Sequence, residues 1–165
     1  MPLKKPAAKG PAPVMKKSEF PWRSEEGVDC PDLVDEAIHY FRPNVLFKKF
    51  TINGPADRVL VYCILFISLC LHRIAKCSTA AEALKELEGL KGSKFAVAGE
   101  PGWVLGSMFP KPDAASAGDT RRYLKQLRET IIKRIVPVMF LDDETPNKFW
   151  MAFAKKSFMN INLTA

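Results

Sequence analysis

From Val59 to Leu71 the chain reads VLVYCILFISLCL, thirteen consecutive positions without a charge. As a helix this run would be about 20 Å long, short of the roughly 30 Å hydrocarbon core of a bilayer. Extending it to Ile74 and Ala75 would draw His72 and Arg73 into lipid, which a span resists. Several β-branched residues would suit a strand, but the flanks favour a helix. Asn53-Gly54-Pro55 is a stop followed by a first-turn proline, and Asp57 complements the amino-terminal dipole. His72, Arg73 and Lys76 fall where a helix carboxyl end favours cations. The pattern predicts a helix from Ala56 to Cys77 whose apolar side chains cover every face, so it must be buried all round.

The rest of the chain supplies the cover. In DCPDLVDEAIHYFRPN, Asp29 or Asp32 caps a helix, Pro31 suits its first turn, and Val34, Ile38 and Phe41 share one face. Pro43 should kink or split this helix near Phe41. Thr79-Ala-Ala-Glu82 is a capping box opening a short helix to about Leu87. A Gly- and Pro-rich stretch follows, with a short extended piece at Phe95–Ala98. Asp119 then caps an amphipathic helix. Leu124, Leu127, Ile131 and Ile135 face inward, while Arg121, Arg122, Lys125, Arg128, Lys133 and Arg134 lie largely outward. Pro137 should bend or end it. Thr145-Pro146 opens a last helix carrying Phe149, Trp150, Phe153 and Phe158. The expected fold is all-α, with about five helical segments and one apolar central helix surrounded by the others.

Charge changes the picture at one end. The chain has 165 residues and a net charge of +7. Residues 1–18 hold five lysines and no acid, leaving 20 bases against 18 acids elsewhere. Residues 1–28 are therefore expected to be a flexible, disordered basic arm, and residues 29–165 a single helical domain. A near-neutral body lacks the basic footprint of a nucleic-acid module, although the arm keeps a basic-armed nucleic-acid accessory protein as the alternative. The amino terminus has no apolar core of the secretory kind, and the cytoplasm is the expected default. Cys63, Cys70 and Cys77 recur every seventh residue. They share a helix face but sit about 10.5 Å apart, beyond disulfide or shared-metal reach, and read as small buried hydrophobes.

No residue cluster carries a reaction. His39 and His72 have no metal-ligand spacing to Cys, Asp or Glu, and surface or cap roles are expected. Gly99-Glu100-Pro101-Gly102-Trp103 lacks the ending of a phosphate-binding loop. Pro101-Gly102 instead suits a type II turn presenting Trp103, and the residues leave open whether Trp103 faces the core or a partner. Asp142-Asp143-Glu144 reads as a dipole-complementing cluster before a helix. No catalytic, cofactor or metal site is expected, and an enzyme would need a cleft invisible in sequence.

The stretch LVDEAIHYFRPNVLFKKFTINGPADRVLVYCILFISLCLHRIAKC resembles the signature half of subunit 3 of the actin-related protein 2/3 complex. GEPGW at 99–103, YLKQLR at 123–128 and KFWMAFAKKSFMN at 148–160 are similar to that family's later motifs, in the same order. The resemblance spans about residues 30–160. It implies an all-helical, non-enzymatic subunit of the seven-subunit assembly that starts a new actin filament on the side of an existing one. It also implies docking on actin-related protein 3, proximity to the mother filament, no membrane insertion and a place in the actin cytoskeleton. Under it, Gly99, Glu100, Pro101, Gly102, Trp103, Phe149, Trp150, Phe153 and Phe158 are expected to dock on sister subunits. The basic residues Arg121, Arg122, Lys125, Arg128, Lys133 and Arg134 are expected to face the filament.

Overall fold

In the computed structural model, which describes residues 32–141 and 145–163, most helix starts can be traced to a side chain. The Asp32 carboxylate accepts the backbone N–H groups of Val34 (2.9 Å) and Asp35 (3.1 Å), and Asp35 returns a bond from the Asp32 N–H. This reciprocal cap opens α1, Leu33–Asn44. The Asp57 carboxylate accepts the N–H groups of Asn53 and Gly54, and Pro55 begins α2, Pro55–Ile74. Thr79 Oγ1 accepts the Glu82 N–H at 3.2 Å, starting α3, Ala80–Gly92. Helix α4 spans Ala117–Met139, and α5 is a single turn, Lys148–Met151. Two 3-10 turns lie at Gly106–Met108 and Phe158–Asn160. Among the described residues there is no strand, only an isolated bridge between Phe140 and Pro146.

Helix α2 is the axis. It packs against α1, α3, α4 and the last 3-10 turn. Leu60 through Ser68, Cys70, Leu71 and Ile74 are all buried. One described helix, α2 itself, is long and apolar enough to cross a membrane, but its faces are covered by the chain's own helices. An amphipathic neighbour needs only one apolar stripe, and α1 and α4 supply stripes through Val34, Ile38 and Phe41, and through Leu124, Leu127, Ile131 and Ile135.

Several boundaries differ from the sequence expectation. Pro43 does not split α1 near Phe41. It sits in the final turn, and the Val45 N–H reaches the Phe41 carbonyl at 2.8 Å. Helix α3 runs five residues past Leu87, through Gly89, because Leu87 and Leu90 both bury. Phe95–Ala98 forms no strand. Ser116, not Asp119, stands at the start of α4, and Asp119 falls in its first turn. Pro137 lies inside α4, which closes two residues later. Asn147, not Thr145, caps α5, because Pro146 is held in the bridge to Phe140. The final aromatic segment is not one helix. After Met151 it turns so that Met159 and Asn160 adopt left-handed backbone, with φ of 50° and 57°. The Met159 N–H then reaches the Phe47 carbonyl, and Phe158 enters the core. The basic arm of residues 1–28, Asp29, Cys30, Pro31 and the acidic cluster 142–144 lie outside the described residues.

Candidate docking surface

The GEPGW segment is a staple rather than a flap. The Trp103 N–H donates to the Glu100 carbonyl at 3.2 Å, and Gly102, at the third turn position, has φ of +89°. This is the geometry of a type II turn, which favours glycine there. The Glu100 carboxylate accepts the Val97 N–H at 3.0 Å and pairs with Arg121 of α4. Those two donors hold its carboxyl below the ordinary value. The Arg121 guanidinium also donates to the Phe95 carbonyl at 2.7 Å. Gly99, Glu100, Pro101 and Gly102 are exposed at the turn.

Trp103 turns inward. Its ring stacks on Tyr62 of α2, centroids 6.2 Å apart and planes 16° apart, and meets Phe109 edge-on at 5.2 Å. Beneath this cluster lies Arg128. The sequence placed Arg128 in an outward basic row, but its side chain is only 2% exposed. Its Nε donates to the Tyr62 hydroxyl at 2.8 Å. The guanidinium sits 3.8 Å from the Phe95 ring centroid and 4.8 Å from that of Phe66. Aromatic faces carry negative quadrupole density, so they partly replace the water that a buried cation loses. Burial raises the Tyr62 phenol above its ordinary value, and Arg128 opposes that shift. Nothing in the spacing of α4 distinguishes Arg128 from Lys125. The three aromatics that cage it come from other parts of the chain.

The basic row is further thinned by Arg134, which is half-buried and pairs with Asp32 at 2.7 Å and Asp35 at 3.1 Å. Arg122 pairs with Asp119 on the exposed face, and Lys125 and Lys133 stand free in solvent. Of the six expected filament-facing cations, Arg122, Lys125 and Lys133 are therefore the fully exposed ones.

The final aromatics also divide. Trp150 is buried and stacks on Phe41 of α1 at 5.5 Å. Phe158 is buried against Phe50, centroids 5.9 Å apart, and Phe153 is half-buried. Phe149 alone among them projects, 74% exposed. A groove of about 460 Å³ opens between α1, α4 and α5, lined by Asp35, Ile38, His39, Arg42, Arg134, Val138 and Trp150.

Among the described residues no group of three His, Cys, Asp or Glu side chains could hold a metal ion. Burial pushes the Cys63 and Cys70 thiols far above the ordinary thiol range, away from thiolate reactivity. The described surface offers apolar and charged contacts.

Comparison with known proteins agrees in kind. The family model described as the "ARP2/3 complex ARPC3 (21 kDa) subunit" matches residues 1–163. The chain is 39% identical over 154 residues to "Actin-related protein 2/3 complex subunit 3" of Arabidopsis thaliana, covering 93% of this chain and 82% of that protein. It is 38% identical over 135 residues to a probable subunit 3 of Caenorhabditis elegans, covering 80% of this chain and 74% of the relative. For subunit 3 of Saccharomyces cerevisiae the figures are 36% over 137 residues, 80% and 77%.

Proposed function

Because the chain belongs to the family of subunit 3 of the actin-related protein 2/3 complex, we propose that it supports branched actin nucleation by docking on actin-related protein 3 and lying near the mother filament. It works without an active site of its own, in the cytoplasm and within the actin cytoskeleton. The observation that carries this reading is the family match over nearly the whole chain. A body of helices packed round α2 is consistent with it. The GEPGW turn, fixed to α4 by Glu100 and Arg121, and the segment from Phe149 to Phe158 are the docking contacts, acting as part of the single helical domain. Arg122, Lys125 and Lys133 supply the filament-facing charge. Such charges steer association and weaken with salt more than they add affinity.

Branch counting by fluorescence microscopy tests the proposal. Complex prepared without this chain should form few branches on actin filaments, and adding the purified chain should restore them. Restoration that fails although the chain is folded would contradict the proposal.

A further inference from the structure

Two segments far apart in sequence meet at one corner of the molecule. The Met159 N–H donates to the Phe47 carbonyl at 2.9 Å, and Phe158 packs on Phe50. Residues 41–53 and 145–163 contain no Asp or Glu. They carry Arg42 and the exposed lysines Lys48, Lys49, Lys148, Lys155 and Lys156. None of these six side chains forms an ion pair or hydrogen bond among the described residues. Elsewhere on the surface some cations are matched, as Arg73 is by Glu86 and Arg122 by Asp119, while Lys125 and Lys133 stand free as well.

On the second of these segments, next to Lys148, stands Phe149. Its ring is 74% exposed on a turn that cannot easily retract it. The next residue, Trp150, is locked against Phe41, and the Asn147 side chain accepts the Phe149 N–H at 3.0 Å. A rigidly presented aromatic ring on segments that carry unpaired cations has the layout of an interface anchor with a polar rim. We propose that this corner is a docking face whose occupant is a sister subunit presenting an apolar pocket rimmed by carboxylates. The proposal rests on the functional reading above and gives that docking its chemistry. Lysines alone would suit a filament or an anionic bilayer equally well. A bilayer surface is bound through a broad apolar helix face, whereas α5 is a single turn that holds out one ring, which suits a protein pocket.

The test measures binding of the full chain to complex assembled without it, by biolayer interferometry over a range of salt, after circular dichroism has established that each variant is folded. Phe149→Ala should weaken binding about 10- to 100-fold, mostly through faster dissociation. The double variant K155E/K156E should slow association about tenfold and flatten its salt dependence. Lys85→Glu, on the exposed face of α3, should match the parent. Parent-like binding by both the Phe149 and Lys155/Lys156 variants would overturn the proposal. So would normal assembly accompanied by lost sedimentation with actin filaments or with phosphatidylserine vesicles. Failure of the parent chain itself to join the complex would refute the functional reading instead, which separates the two.

Discussion

Arg128 Nε donates to the Tyr62 hydroxyl at 2.8 Å, joining two buried side chains 66 positions apart. The bond ties α4 to the central helix at the point where Phe95 and Trp103 of the long loop also close in. One buried cation thus holds three parts of the chain together, because its partners are aromatic faces and a phenol rather than a carboxylate.

That arrangement makes a double-mutant prediction. Tyr62→Phe leaves Arg128 Nε buried and unpaired, and Arg128→Met leaves the Tyr62 hydroxyl so. Each should cost about 1–3 kcal/mol in urea unfolding. The double variant replaces both polar partners by apolar groups and should cost clearly less than the sum. Strict additivity would show that the pair is not coupled.

The cysteines should separate by accessibility. Burial raises the Cys63 and Cys70 thiols and also removes them from solvent. Cys77 is only partly covered, though burial, Glu82 and Glu86 raise its thiol too. With a thiol reagent at pH 8, native protein should label at Cys77 while Cys63 and Cys70 stay protected until denaturant is added. Fast native labelling at Cys70, read by peptide mass spectrometry, would mean that α2 is not enclosed.

Acid should loosen the junction of α1 with α4. Burial alone would raise the Asp32 carboxyl, but the Arg134 hydrogen bond and charge and the Asp35 and Val34 N–H groups hold it below its ordinary value. A depressed carboxyl stabilises fully above its unfolded value of about 3.9, and that stability fades as pH falls through the lower folded value. Arg134→Met should therefore destabilise at neutral pH and show a shallower loss of stability than the parent below about pH 4. Parallel stability curves for the two proteins would contradict this.

The turn before Trp103 should tolerate no side chain at its first glycine. Gly99 has φ of +89°, and a Cβ there would lie 2.6 Å from Cγ of Lys111. Gly102 shares that φ but has room, with only the Ala96 Cβ near, at 3.8 Å. Both alanine variants should lose about 1–2 kcal/mol from backbone strain. Gly99→Ala should lose more unless the Lys111 stem swings aside, and Gly99→Ala/Lys111→Ala should recover that excess in thermal melts.

What sequence revealed followed from local rules. The uncharged run, its flanking Pro55 and Asp57, and the stripe of α4 were visible because periodicity and caps act over a few residues. The α5 region was not. Its path depends on Phe140 bridging Pro146 and on Met159 reaching Phe47, contacts that no short window contains. Arg128 was misplaced for the same reason. A cation on an amphipathic helix is normally solvated, and only the approach of Phe95, Phe66 and Tyr62 makes burial tolerable. The family motifs marked the aromatic segment as a unit, whereas the structure turns Trp150 and Phe158 inward and leaves Phe149 out.

The central claim is that this chain acts by fitting into a larger assembly. Native mass spectrometry of the complex's subunits, co-expressed with the full chain, tests it most directly. A particle that contains one copy of this chain alongside the other subunits is expected. A complete particle that excludes the folded chain, with the chain recovered alone, would contradict it.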